Sequence, residues 1–105
     1  MASSKEYLSF ILEQLSGLEE ITYRSMMGEY IIYYRGKIAA YICDNRFLVK
    51  PVKSAAELMP DAAHELPYEG AKEMLLVENA EDREFLAKLF NAMYEELPMP
   101  KKKRQ

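Results

Sequence analysis

The segment from residue 20 to residue 50 alternates in hydrophobicity with a period of two, and this feature most constrains the fold. Its central run, 29–34, is rich in β-branched and aromatic residues, which favour strands. Arg35-Gly36 and Asp44-Asn45 are turn signals that join successive runs tightly. Pro51 lacks an amide hydrogen and should end the ladder. The pattern therefore predicts a four-stranded β-meander, with strands over 21–24, 29–34, 37–43 and 46–50.

Two amphipathic segments near the ends of the chain predict helices that can cover the sheet. Apolar residues recur on one stripe of residues 4–16, which Ser3 can cap, with Glu6 completing a capping box. A second apolar stripe runs through residues 80–97. Asn79 is the expected cap of this second helix.

The stretch between the meander and the last helix carries weaker signals. It predicts a short helix over 55–59 capped by Ser54, a loop or broken helix over 61–70, and a later strand over 72–78. The complete order of elements predicts an α+β fold. In that fold an antiparallel sheet, made of the meander plus one later strand, is packed on one face by the N- and C-terminal helices.

The length of 105 residues predicts a single domain, which we place at 1–97, followed by a basic solvated tail at 98–105. No secretory signal begins the chain, and no apolar run approaches the roughly 20 residues that cross a bilayer. A lone cysteine, Cys43, cannot form an internal disulfide. These features predict a cytoplasmic protein with no membrane partner.

Charge is distributed unevenly along the chain. Residues 1–97 hold ten basic and seventeen acidic residues, a net charge of −7, whereas residues 24–53 hold six basic and two acidic residues, a net charge of +4. Because phosphate neutralisation supplies most non-specific affinity for DNA, the acidic body argues against general duplex binding. The basic segment 24–53 remains compatible with a local surface that binds anions.

Residues typical of catalysis or metal binding do not form a recognisable pattern. His64 and Cys43 are the only histidine and cysteine, and they fall in different predicted elements. The four glycines are scattered, so no phosphate-binding loop is predicted. Neighbouring carboxylates diverge on a strand or helix and do not flank one bond. The sequence predicts no catalytic residue, no metal site and no cofactor.

Tyrosines and basic residues alternate within the meander and mark a candidate binding surface. Two helices can cover only one face of the predicted sheet, so the other face is available to a protein partner or a second copy in a homodimer. Aromatics interleaved with cations also suit a nucleic acid or another anionic ligand, a less favoured alternative. The same pattern is typical of strands that are simply kept soluble. The candidate residues are Arg24, Tyr30, Tyr34, Arg35, Lys37, Tyr41, Arg46 and Lys50.

Three short motifs resemble the N-terminal domain family of TfoX (Sxy), bacterial regulators of competence. They are the segment 23–30, the hairpin 34–37, and the run 47–50. A later part matches too, with Leu66-Pro67-Tyr68 before the strand 74–77 and the closing helix, so the similarity extends over about residues 5–97. The resemblance implies an α+β domain that acts in transcriptional or competence regulation through protein contacts. It transfers no catalytic residue. The family-motif positions that it transfers are Arg24, Met26, Gly28 and Gly36.

Overall fold

The computed structural model describes residues 4–26 and 28–97. The elements, in chain order, are α1 (Lys5–Gln14), β1 (Ile21–Met26), β2 (Glu29–Tyr34), β3 (Lys37–Cys43), β4 (Arg46–Val49), α2 (Lys53–Leu58), β5 (His64–Glu65), β6 (Met74–Leu76) and α3 (Arg83–Tyr94). The expected tail at 98–105 and the expected cap Ser3 lie outside the described residues.

The strands form a six-stranded antiparallel sheet in the order β1-β2-β3-β4-β6-β5. Two-residue turns join β2 to β3 and β3 to β4, as predicted. Arg35 and Gly36 have φ values of 53° and 84°, and Asp44 and Asn45 both have φ of 56°. Positive φ at both central residues is the type I′ geometry, whose twist matches that of the flanking strands.

The helices pack against one side of the sheet, which confirms the predicted α+β architecture. Leu8 and Ile11 of α1 share one buried apolar cluster with α3 and with Ile32 of β2. The side chains of Leu86, Leu89, Phe90 and Met93 on α3 are fully buried in this cluster. Since each buried side chain of this size contributes about 1.5–3 kcal/mol, α3 supplies a large part of the stability.

The observed helix caps differ from the predicted ones. The hydroxyl of Ser4 accepts from the amide of Tyr7, so α1 begins after Ser4. The carboxylate of Asp82 accepts from the amide of Phe85, so α3 begins after Asp82 and not after Asn79. Each choice places an acceptor three residues before an unpaired helix amide.

Two further predictions between the meander and α3 are wrong. Ser54 does not cap α2, which begins after Val52, and the side chain of Val52 makes no capping hydrogen bond. The predicted loop contains a short strand, β5, because His64 and Glu65 pair with Leu75 and Met74 of β6. A two-residue strand carries too little periodicity to be recognised from sequence.

Candidate interaction surface

A bulge in β3 decides which side of the sheet each residue faces. Tyr33 pairs with Ile38 and Ile32 pairs with Ala40, which leaves Ala39 as an extra residue. Before and after this bulge, alternate residues face the helices. We call the opposite side of the sheet the open side, and its residues on β2 and β3 include Ile31, Tyr33, Ile38 and Tyr41.

The eight candidate binding residues do not form one surface, which corrects the sequence-based expectation. Tyr30, Tyr34 and Lys37 are buried on the helix side, with exposed fractions of 8%, 2% and 8%. The hydroxyl of Tyr34 donates to Asn91 at 2.8 Å, and Nζ of Lys37 donates to the carbonyl of Tyr94 at 3.0 Å. Tyr34 and Lys37 therefore fasten the meander to α3, whereas the ring of Tyr30 contacts that of Tyr23 on β1, with centroids 6.0 Å apart.

Arg35 also belongs to the contact between the meander and α3. Its guanidinium lies 5.4 Å from the ring centroid of Tyr34 and 5.4 Å from that of Tyr94. Its Nη2 is 3.9 Å from a carboxylate oxygen of Glu19. The remaining candidates, Arg24, Tyr41, Arg46 and Lys50, lie on the open side by their register.

Arg46 holds a segment of the chain against the open side. Its Nη1 donates to the Glu65 carboxylate at 2.6 Å, its Nη2 to the carbonyl of Leu66 at 3.1 Å, and its Nε to the carbonyl of Cys43 at 3.2 Å. We define residues 65–73 as the covering segment. The charge-assisted hydrogen bonds from Arg46 to Glu65 and Leu66 anchor its first two residues. Arg46 therefore has a structural role that its position in a basic stretch does not reveal.

The covering segment buries part of the open side. Pro67 within it is buried, and the Tyr68 ring centroid lies 6.4 Å from that of Tyr41. Leu48 and Met74 face the open side by register, yet their exposed fractions are 0% and 4%. Only the half of the open side formed by β1, β2 and the start of β3 remains uncovered in the described part of the chain.

The uncovered half forms a surface that we call the open patch. Its members, Thr22, Arg24, Met26, Ile31, Tyr33 and Ile38, are each exposed or half-buried. Arg24 forms no ion pair with any described residue. Beside the patch, β1 is an edge strand whose last five residues are all exposed.

The family-motif positions lie on β1 and at the two ends of β2. Arg24 and Met26 are two residues apart on β1 and therefore face the open side together. Gly28 and Gly36 have φ of 84° in the turns that follow β1 and β2. Glycine is favoured at both positions because L side chains rarely adopt this φ.

Comparison with known proteins assigns the chain to a family. A sequence profile described as the TfoX N-terminal domain matches residues 13–96. The chain belongs to the TfoX N-terminal domain family. It is also 30% identical over 107 residues, covering 99% of this chain and 91% of the relative, to a protein of Spirochaeta aurantia named "Uncharacterized 12.7 kDa protein in trpE 5'region". No solved structure matches the chain.

The TfoX N-terminal domain match covers all six strands together with α2 and α3. It therefore includes the open patch, the covering segment and the edge of β1. Since the first residues of α1 precede the match, the family pattern is carried mainly by the sheet and by the helices that follow it.

By their register, the cysteine and the histidine of this TfoX N-terminal domain face opposite sides of the sheet. Cys43 is fully buried on the open side, and burial and the neighbouring Glu29 carboxylate raise its pKa to about 12. His64 is exposed, with Nδ1 3.4 Å from the Glu73 carboxylate. Within residues 4–26 and 28–97, no group of histidine, cysteine and carboxylate side chains could hold a metal ion. No helix in the same ranges is long and apolar enough to cross a membrane.

Proposed function

We propose that this chain is a non-catalytic regulatory module of the cytoplasm that acts through protein contacts, and that its first partner is a second copy bound through β1. The unpaired outer edge of β1 carries the proposal. Family membership supports the regulatory part, and the buried thiol of Cys43 is consistent with a reducing compartment.

The edge of β1 is suited to pairing with another strand. It is six residues long, contains no proline, and is bordered by no other strand of the described chain. Natural sheets usually protect such an edge with charges, prolines or bulges, and Arg24 is the only charged residue on β1. Tyr23 and Met26 on this strand have exposed fractions of 47% and 37%. Pairing would cover both apolar side chains.

The backbone directions on β1 follow from one hydrogen bond. The amide of Arg35 donates to the carbonyl of Glu20 at 3.0 Å, so residue 20 is hydrogen-bonded toward β2. Because antiparallel ladders alternate, Thr22, Arg24 and Met26 also direct their backbone groups toward β2. Ile21, Tyr23 and Ser25 direct theirs outward. Three residues thus offer both an N–H and a C=O to an incoming strand.

Charge selects one register for a symmetric β1–β1 pair. Antiparallel pairing of a strand with its own copy is two-fold and closes after two subunits. A pair centred on Arg24 places two guanidinium groups opposite each other, which is unfavourable. A pair centred on Tyr23 brings two tyrosine rings together and sets Thr22 opposite Arg24. We therefore assign the register centred on Tyr23.

Light scattering on the purified chain, with a proline variant, tests this proposal. Tyr23→Pro removes an amide hydrogen that faces away from β2, and edge strands tolerate proline at such positions. We expect a dimeric mass for the wild type at high micromolar concentration and a folded monomer for Tyr23→Pro. Tyr23→Thr, which keeps the amide hydrogen, is the matched control and should retain dimer. A monomeric wild type over the whole concentration range would contradict the proposal.

Disulfide trapping tests the register. Tyr23→Cys places two thiols opposite each other at the symmetry axis, within the Cα separation of about 4.4–6.8 Å that a disulfide requires. A mixture of Tyr23→Cys and Ser25→Cys is the matched test of the alternative register, because it keeps Arg24 and places residue 23 opposite residue 25 of the other copy. We expect mild oxidation to link two Tyr23→Cys chains and not to link a Tyr23→Cys chain to a Ser25→Cys chain. Equal yields of the 23–23 and 23–25 cross-links would refute the assigned register.

A further inference from the structure

A cleft lies between the sheet and the covering segment, away from the β1 edge. Its volume is about 330 Å³, and its walls include Tyr41, Lys50, Pro67, Tyr68, Lys72 and Met74. Small-molecule sites typically begin at about 300 Å³, so the cleft is large enough for a compact ligand only. It does not involve Ile21, Tyr23 or Ser25, on which the proposed pairing depends.

Lys50 and Lys72 both line the cleft, and neither has a counter-ion among the described residues. Lys50 is half-buried, and no carboxylate in the described chain forms an ion pair with Lys50 or with Lys72. Burial, and then the nearby charge of Lys72, lower the pKa of Lys50. Glu73 also lines the cleft, but its carboxylate is 3.4 Å from Nδ1 of His64. The two lysines and one glutamate of the lining therefore carry a net charge of 2 − 1 = +1, which an anion would neutralise.

The remaining walls are apolar or aromatic. The rings of Tyr41 and Tyr68 have centroids 6.4 Å apart and are inclined by 51°, and Nζ of Lys50 lies 5.9 Å from the Tyr41 centroid. Pro67 and Met74 are buried beneath them. Walls of this kind bind a flat apolar body, whereas the lysines bind a charged head.

We propose that this cleft binds a small organic anion, whose carboxylate or phosphate head lies between Lys50 and Lys72 and whose flat body lies against Tyr41 and Tyr68. The observation that carries the inference is the meeting of two unpaired lysines and two tyrosines in one concave site. Neither residue type alone would select such a ligand.

Titration followed by amide chemical shifts in NMR tests the proposal on the full chain. The probes are phenyl phosphate and benzoate, with phenol as the neutral ring and inorganic phosphate as the head alone. We expect at least one aromatic anion to shift the amides of Lys50 and of residues 68–73 at millimolar concentration. The anion that binds more tightly identifies the head group. Phenol and inorganic phosphate should each bind more weakly, by about tenfold.

Variants of the two lysines make the test specific. Lys50→Met keeps the apolar stem packed while removing the charge, and Lys72→Gln removes the exposed charge. Each should weaken binding of the aromatic anion by about tenfold, the effect of losing roughly 1.4 kcal/mol. Lys53→Gln, an exposed lysine outside the cleft, should leave the affinity unchanged. Equal affinity in Lys50→Met and Lys53→Gln, or no shift with either aromatic anion, would overturn the proposal.

The anion site and the β1 pairing are tested independently. The Tyr23→Pro variant keeps the cleft intact and should bind the aromatic anion as tightly as the wild type. If Tyr23→Pro keeps its fold but loses anion binding, the cleft depends on β1 pairing, and the independence of the two sites is contradicted.

Discussion

The carboxylate of Glu96 accepts two hydrogen bonds from Ser54, one from its amide N–H and one from its hydroxyl, each with a donor–acceptor distance of 2.8 Å. Ser54 is the second residue of α2, so its amide is one of the helix donors that lack a partner within the helix. Glu96 lies just after α3. The side chain of Glu96, at the end of α3, therefore accepts from an amide at the start of α2 that has no partner within the helix.

These hydrogen bonds predict an acid-sensitive stability. The amide and then the hydroxyl of Ser54 hold the pKa of Glu96 below its usual value. The folded protein therefore keeps this carboxylate ionised to a lower pH than the unfolded chain does. Its stabilising contribution is complete above the ordinary pKa of about 4.3 and is lost as the pH falls through the lowered value.

We expect the urea midpoint of Glu96→Gln to lie below that of the wild type at neutral pH and to converge with it in acid. Glu95→Gln, an adjacent exposed carboxylate, is the matched control and should change little. A gap between wild type and Glu96→Gln that persists in acid would contradict this account.

Local chemistry predicts the hairpins well and the helix starts poorly. The Arg35-Gly36 turn depends on two adjacent residues, so the sequence suffices to predict it. The start of α2 depends on Glu96, which is 42 residues from Ser54. A serine before an apolar run is a reasonable cap, but here α2 begins before Ser54, whose own amide and hydroxyl donate to a distant carboxylate.

The candidate site was less predictable because it depends on pairing between strands. Strict alternation along β3 would place Lys37 and Tyr41 on the same side of the sheet. The extra residue Ala39 separates them, and a bulge is a property of two paired strands. The covering segment depends on Arg46 and Glu65, which are 19 residues apart. Neither feature has a signal in the local sequence.

Replacing Gly36 by alanine should destabilise the fold through the backbone alone. Gly36 has φ of 84°, and an added Cβ would meet no atom within 4 Å. The expected loss in the free energy of unfolding is about 1 kcal/mol, because alanine disfavours the left-handed region. Gly17→Ala is the control, since Gly17 has no positive φ and equally open surroundings. Urea denaturation of both variants measures the difference, and equal stability would refute the assignment.

Removing the guanidinium of Arg46 should release the covering segment. Arg46→Gln loses the contacts to Glu65 and to the carbonyl of Leu66, for an expected cost of about 1–3 kcal/mol in the free energy of unfolding. Hydrogen exchange should increase over residues 64–76 before it increases elsewhere. Lys88→Gln on the exposed side of α3 is the control, with an expected change within about 0.5 kcal/mol. Uniform loss of protection over the whole sheet would contradict a local role.

The thiol of Cys43 should be unreactive in the folded protein and should report on the covering segment. Its exposed fraction is 0%, and burial, followed by the Glu29 carboxylate, raises its pKa to about 12. Since the thiolate is the reactive form, we expect labelling by an aromatic disulfide reagent near pH 8 to be far slower than in urea. Arg46→Gln should accelerate labelling, because it frees the segment over this side of the sheet, whereas Lys88→Gln should not. Rapid labelling of the folded wild type would contradict the burial on which this expectation rests.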